Sequence, residues 1–375
     1  MPRQDIPILD LNPEIKLLRD ELNAAYHRVM DHGQFIMGPE VKSFEKDAAE
    51  FLGTKHAIGV NSGTDALVIA LKAAGVGKDD EVITTSFTFF ATAESIEMAG
   101  AKPVFVDIEE GTFNINPEEI ERAITGKTKA IMPVHLYGRP AEMNKISELA
   151  EKHNLKVIED CAQSFGATYK GKQTGTIGHA GAYSFFPSKN LGGFGDAGLI
   201  ATDDDEIAEM SLKLRAHGSI KKYHNEVMGY NSRLDTLQAA LLQVKLKHVD
   251  QFNENRREIA HRYIKAFEGL EHIAAPALPD EGHVYHQFTI RVKNGLRDAL
   301  AEKLGKEGIG TMIYYPVPCH KLPVYEGRFD NLQLPVCNRL TEEVLSLPIS
   351  PFLSEKSQHF VIEAIKSGSP VGVTP

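Results

Sequence analysis

Between residues 57 and 202, short runs rich in β-branched and aromatic residues alternate with helical stretches. That alternation limits the fold more than any other feature of the chain. The β-like runs cover residues 57–60, 81–84, 103–106, 130–134, 155–159, 182–185 and 199–202, and helical patterns over 65–74, 88–99, 117–124 and 142–153 separate most of them. A strand–helix–strand rhythm predicts an α/β fold, with a largely parallel sheet covered on both faces. Ligands of such sheets sit at the C-terminal ends of the strands.

The flanks read differently. Asn12 can cap a first helix with Pro13 at its first position, and Ile15, Leu18, Leu22, Tyr26 and Val29 recur at helical spacing. After Asn231, Leu237, Leu241, Val244 and His248 share one helical face, and charged residues follow on to Arg262. Beyond that, short strands at 285–292 and 311–315 flank a helix at 296–306, and prolines punctuate 316–323. This gives a large domain over residues 1–250 and a smaller C-terminal α+β domain over 251–375. A chain of 375 residues can bury such cores without disulfides or metal staples.

Charge and cysteine usage remove several functions. Forty-one Lys+Arg against 51 Asp+Glu leave a formal charge of −10, which disfavours nucleic acid and anionic membrane as partners. A local basic pocket for one anionic metabolite is compatible with this charge. Cys161, Cys319 and Cys337 are far apart with no C-x-x-C, so neither a disulfide framework nor a cysteine zinc site is expected, and a reducing compartment fits. The first residues lack an apolar signal core and no apolar run approaches the roughly 20 residues of a membrane span. The expectation is a soluble, cytoplasmic protein with no membrane partner.

Three stretches could carry chemistry. Asn61-Ser62-Gly63-Thr64 lies between a strand and a helix, where free N–H groups at the helix start can cup a phosphate or serve an ordinary cap. The run 155–160 ends a strand in two acids, Glu159 and Asp160, with Gln163 and Ser164 just beyond; it reads as a ligand site or a solvated loop start. In YSFFPSKNLGGFGDAG (183–198), Lys189 follows an aromatic strand and precedes four glycines. A lysine at the edge of a buried sheet can lose its proton by desolvation and act as a nucleophile. Residues 193–198 also fit G-x-G-x-x-G, but a loop precedes them and a β-like run follows, the wrong context for a dinucleotide fold.

One cofactor accounts for all three stretches. Pyridoxal 5′-phosphate needs a cup for its phosphate, an amine for its aldehyde and a carboxylate to keep its ring nitrogen protonated. An aromatic over the ring could come from Phe87, Phe89 or Phe90, which could equally be core. A metal is not expected: His283 and His286 are close in sequence but no carboxylate constellation accompanies them.

NSGTDAL (61–67), TSFTFFATAESI (85–96), IEDCAQSFGA (158–167), SFFPSKNLGGFGDAG (184–198) and GYNSRLDTLQAA (229–240) together resemble the DegT/StrS-type sugar aminotransferases, fold-type I pyridoxal-phosphate enzymes that aminate nucleotide-linked keto-sugars. The resemblance runs from FIMGPEV (35–41) to YPVPCHKLP (315–323). It implies that Lys189 bonds the cofactor aldehyde and then shuttles the proton, that Asp160 pairs with the ring nitrogen, and that Gln163 bonds near the ring hydroxyl. Phe89 would stack on the ring, and Gly63, Thr64 and Ser184 would hold the phosphate. Asn231 would reach the cofactor phosphate of a partner subunit and Arg233 would cross over to the sugar, making a homodimer with shared sites. Tyr315 and His320 become substrate contacts, and Arg215, Lys221, Lys222, His224 and Lys321 are candidates for diphosphate or for plain surface charge. A branch with histidine in place of the lysine dehydrates instead; Lys189 therefore implies transamination, with glutamate as donor, 2-oxoglutarate as by-product and pyridoxamine 5′-phosphate as the loaded form. HGQFIMGPEV and NSRLDTLQAA look most like the branch that aminates a UDP-linked 3-keto-N-acetylglucosaminuronate. A sugar dehydratase and a sugar-sensing regulator on the same fold are the alternatives.

Overall fold

The computed structural model describes residues 5–221, 223–278 and 282–367. Its central sheet has seven strands. In chain order come β1 (His56–Val60), β2 (Glu81–Thr85), β3 (Lys102–Val106), β4 (Thr128–Ile131) and β5 (Lys156–Asp160), then the small hairpin of β6 (Thr168–Tyr169) and β7 (Lys172–Gln173) outside that sheet, then β8 (Ala180–Ser184) and β9 (Gly198–Thr202). The spatial order is β1-β9-β8-β5-β4-β2-β3. The five strands from β3 to β8 run parallel; β9 turns back antiparallel to β8 and pairs antiparallel with β1. The sheet is thus mostly parallel, and its one reversed strand, β9, lies one in from the β1 edge.

Helices cover both faces. Before the sheet lie α1 (Asn12–Leu17), α2 (Arg19–His32) and α3 (Pro39–Leu52); between its strands lie α4 (Gly63–Ala73), α5 (Phe90–Ala99), α6 (Pro117–Ala123) and α7 (Met143–His153); after it come α8 (Asp205–Leu214), α9 (Thr236–Leu246) and α10 (Val249–Phe267). Strand side chains alternate between two cores, as the pleat requires. Ile58, Val82, Ile158 and Ile200 meet α4, α5 and α8 on one face. Tyr183, Leu199 and Ala201 meet α3 and α9 on the other, where Ile83, Ile131 and Val157 pack under α6 and α7. Residues 66–71 of α4 are buried all round, the mark of a helix enclosed between layers.

A second, antiparallel sheet of β10 (Ile273–Ala274), β11 (Phe288–Val292) and β12 (Val344–Leu347) packs its own core with α10, α11 (Arg297–Lys306) and α13 (Glu355–Ser367). The intervening α12 (Pro335–Glu343) joins a further cluster, in which Cys337 and Leu340 meet Phe87, Phe105 and Leu136 of the first part of the chain. No helix among the described residues is long and apolar enough to cross a membrane.

Several elements differ from the sequence reading. The first helix breaks at Leu18, which stays buried against α9 while its backbone leaves helical geometry. Its cap is not Asn12; the Asp10 carboxylate accepts from the Asn12 N–H at 2.9 Å. The long helical region after Asn231 divides at Lys247–His248. Helices α3 and α8 were not foreseen, and residues 311–315 form one bridge (Met312 to Ser346), not a strand.

Candidate active site

The cluster of interest lies where parallel strands end. Ser62 caps α4: its Oγ accepts from Asp65 N at 3.1 Å, and its carbonyl accepts from Ala66 N at 3.0 Å. The N–H groups of Gly63 and Thr64 therefore remain for a ligand at the positive end of an eleven-residue helix. Space is tight here. A Cβ on Gly63 would lie 2.5 Å from Ser184 Cβ at the end of β8, and one on Gly198 would lie 2.4 Å from the Ser62 carbonyl oxygen. Glycine at both positions lets the helix start sit directly on the strand ends.

Asp160 ends β5 and is buried. Thr92 Oγ1 donates to its Oδ2 at 2.8 Å and Ala162 N to its Oδ1 at 3.1 Å. Desolvation pushes the Asp160 carboxyl above its ordinary value, against these hydrogen bonds and the positive charge of Lys189. Lys189 follows β8; desolvation lowers its ammonium to about 8, opposed by attraction to Asp160. Near pH 8 the neutral amine is thus well populated, as a nucleophile or proton carrier needs. Gln163 is fixed at both ends: its Oε1 accepts from Tyr137 N at 2.6 Å and its Nε2 donates to Tyr315 Oη at 3.0 Å.

These side chains line one cavity of about 600 Å³, with Gly63, Thr64, Phe89, Ser184 and Tyr315 also on its wall. Of the three phenylalanines weighed above, Phe87 is fully buried, Phe90 packs on Tyr325, and Phe89 stands 59% exposed beside Tyr315. Phe89 alone of the three lines the cavity.

Other predicted residues lie elsewhere. Arg233 Nη2 donates to Asn231 Oδ1 on an exposed loop, and neither lines the cavity of its own chain. The loop is nevertheless anchored beside it, since Ser232 Oγ donates to Asn61 Oδ1 at 2.9 Å. His320 is buried, its Nδ1 2.7 Å from Ser86 Oγ, and lines a separate pocket of about 540 Å³ with Lys321. Arg215 is not free for a diphosphate: it bonds Glu45 and, at 2.7 Å, the Gly59 carbonyl. Lys221 and His224 are exposed, and Lys222 lies outside the described residues.

Sequence reasoning missed Thr92, His286 and Gln287. Thr92 carried a signal, a hydroxyl in the first turn of a helix following a parallel strand. His286 had none: it reaches the cavity from the far part of the chain, its Nδ1 3.1 Å from Asn190 Oδ1. Also unforeseen is a buried trio of His135, Glu159 and Cys161 within ligand distance of one another. Its carboxylate is already satisfied by the Gly175, Ile177 and Gly178 N–H groups and by His135 Nε2 at 2.8 Å.

The cavity joins a helix-start cup, a desolvated lysine and a buried carboxylate that feels the charge of that lysine. This donor set fits pyridoxal 5′-phosphate. Residues 16–366 match the DegT/DnrJ/EryC1/StrS aminotransferase family. The chain belongs to that family. It is therefore an aminotransferase, and pyridoxal phosphate is its cofactor. A "Pleiotropic regulatory protein" of Geobacillus stearothermophilus is 50% identical over 96% of this chain and 98% of its own. The dTDP-3-amino-3,4,6-trideoxy-alpha-D-glucose transaminase of Streptomyces venezuelae is 43% identical, covering 96% of this chain and 95% of its own. The UDP-2-acetamido-2-deoxy-3-oxo-D-glucuronate aminotransferase of Pseudomonas aeruginosa is 42% identical, covering 96% and 99%. Among solved structures, S. venezuelae DesV in complex with a ketimine intermediate superposes with a TM-score of 0.94 at 43% identity, covering 97% of this chain and 98% of that one. A Bacillus subtilis protein, NtdA, with bound cofactor PMP, superposes at 0.91 with 35% identity, covering 97% and 85%.

Proposed function

We propose that this aminotransferase moves an amino group from glutamate to the keto carbon of a UDP- or dTDP-linked sugar, in amino-sugar synthesis for a surface polysaccharide. The observation that carries the reading is the placement of Lys189, Asp160 and the Gly63–Thr64 cup around one cavity large enough for cofactor and sugar together. When bound, the cofactor supplies an aldehyde that takes up an amine and a protonated ring that withdraws electrons.

The protein's own groups then have assigned tasks. Gly63 and Thr64 N–H and the Ser184 hydroxyl hold the phosphate. The Asp160 carboxylate, fixed by Thr92 and Ala162, would hold a proton on the ring nitrogen, and that cation would offset the desolvation that raises Asp160. Phe89 would cover one ring face, and Gln163, clamped by Tyr137 and Tyr315, would lie near the ring hydroxyl. Lys189 Nζ takes a proton from the donor carbon and returns one to the sugar carbon, which suits an amine titrating at about 8.

Asn231 and Arg233 complete the site of a second copy, so the working unit is a homodimer in a reducing cytoplasm. Exposed Phe35, Ile36 and Met37 support this. They adjoin the same loop, since Thr236 N donates to the Phe35 carbonyl at 3.0 Å and Ile36 bridges Asp235. Such an apolar patch marks an interface. Tyr315, on the cavity wall, meets the sugar; His320, in its own pocket, meets a more distant part of the substrate.

The test offers UDP-, GDP- and dTDP-linked 3-keto and 4-keto sugars with glutamate to the holoenzyme and reads 2-oxoglutarate. Release with at least one UDP or dTDP sugar is expected. No release with any, together with dehydrated product or tight sugar binding alone, would overturn the reading in favour of a dehydratase or a sensor.

A further inference from the structure

A small cavity of about 50 Å³ adjoins the main one; Ser188, His286 and Gln287 line both. Its far wall carries Arg256 from α10, which is 4% exposed. This guanidinium donates through Nη1 to the Ile349 carbonyl at 3.0 Å, while its Nε has no partner. It has no ion pair among the described residues. Glu14, the acid whose field it feels, is committed to Lys245 at 2.6 Å. Burial lowers Arg256 to about 10, so it stays charged at neutral pH.

A buried cation without a counter-charge is costly, and a carboxylate fits the planar fork of its five donors. The surroundings reinforce the need for an anion. Desolvation first, and then the charges of Lys189 and Arg256, hold His286 well below the usual histidine range, so the imidazole between these two cations stays neutral. The position is also right for a donor of nitrogen. Ser188 precedes Lys189 in the chain and His286 is bonded to Asn190, which follows it.

We propose that this side cavity receives one carboxylate of the amino donor, an amino dicarboxylic acid, with Arg256 as its anchor. The proposal rests on the aminotransferase reading above and adds the donor subsite to it. Size agrees: 50 Å³ holds a carboxylate-sized group but excludes a sugar ring. The sugar must then occupy the wide part of the main cavity, so donor and acceptor are told apart by the side cavity.

The test measures binding of glutarate, a dicarboxylate with no amine, to the holoenzyme by calorimetry. It also measures the glutamate half-reaction alone, from the loss of the cofactor's visible band. Arg256→Gln should weaken glutarate at least tenfold and slow the glutamate half-reaction far more than the return reaction with keto-sugar; Arg256→Lys should fall between. Because Arg256 also braces Ile349, Ser350→Leu provides a second arm by filling the cavity from another wall, and it should exclude glutarate equally. Glutarate affinity within twofold of the parent in either cofactor-loaded variant would overturn the proposal and leave the cavity to water. Failure of every keto-sugar would instead strike the function proposed above, and the glutarate measurements would still decide this site.

Discussion

Burial pushes both Lys189 and Asp160 toward their neutral forms. Lysine normally holds its proton to 10.5, and here burial brings that down to about 8. The unfolded chain binds the extra proton between pH 8 and 10.5, so folding pays a charge-burial penalty that is full below about 8 and vanishes as pH rises through 10.5. Lys189→Met in the cofactor-free protein is expected to raise the melting temperature at pH 7, with the gap closing between pH 8 and 10.5. The same variant should show no turnover. A gap independent of pH would mean that lost charge burial is not the cause. Thr92 is a positioning residue, because it acts through Asp160. A donor to a carboxylate favours the charged form, so Thr92→Val should raise Asp160 further. It should shift the acid limb of the pH–rate profile upward and cut kcat by roughly 10–100-fold, from an unsatisfied buried acceptor worth about 1–3 kcal/mol. Thr92→Ser, which keeps the hydroxyl, should restore both; a fall in kcat without movement of that limb would count against this role.

At the scale of elements, the β–α rhythm over 57–202 was readable because each parallel strand is a short apolar run, and the stretches between are longer helical ones, one-faced as in α7 or apolar throughout as in α4. The cup at 61–64 was readable because a cap and a glycine between strand and helix leave only a few geometries. Other features depended on distant contacts and left no local mark. The break at Leu18 falls on a side chain buried against α9, in the same cluster as Leu22, Ala25 and Val29, so the apolar spacing runs across it unmarked. Residues 311–315 have a strand's composition, yet their one bridging partner is Ser346. His286 reaches the cavity through Asn190, 96 positions away. The junction of α4 with β8 is the element contact that matters most for cofactor binding. Gly63→Ala places a Cβ 2.5 Å from Ser184 Cβ, so the helix start must retreat from the strand end. The variant is expected to fold with near-parent helix content, since α4 is held by its buried length, and to bind pyridoxal phosphate on the order of 10–100-fold more weakly, as lost charge-assisted hydrogen bonds would dictate. Titrating cofactor into the apoprotein checks it, and unchanged affinity would remove Gly63 from the phosphate cup.

For the whole molecule, the main question is how many copies make a site. Within one chain Lys189 and Asp160 share a wall of one cavity, whereas Asn231 and Arg233 stand outside it on an anchored loop beside exposed Phe35, Ile36 and Met37. A two-fold dimer that brings this loop over its partner's cavity would bury the patch and complete both sites at once. The consequence can be separated from mere dimerisation. Take two inactive variants, Lys189→Ala and Asn231→Ala, mix them and allow subunits to exchange. If Asn231 serves the partner's site, each mixed dimer has one site built wholly from intact residues and one carrying both lesions, so random exchange should recover about a quarter of the parent activity. Lys189→Ala mixed with Asp160→Ala is the matched control, because both residues serve the same chain's cavity and every site in that mixture stays broken. Recovery in the first mixture and none in the second supports a shared site; recovery in neither, with exchange verified, means that Asn231 acts within its own chain.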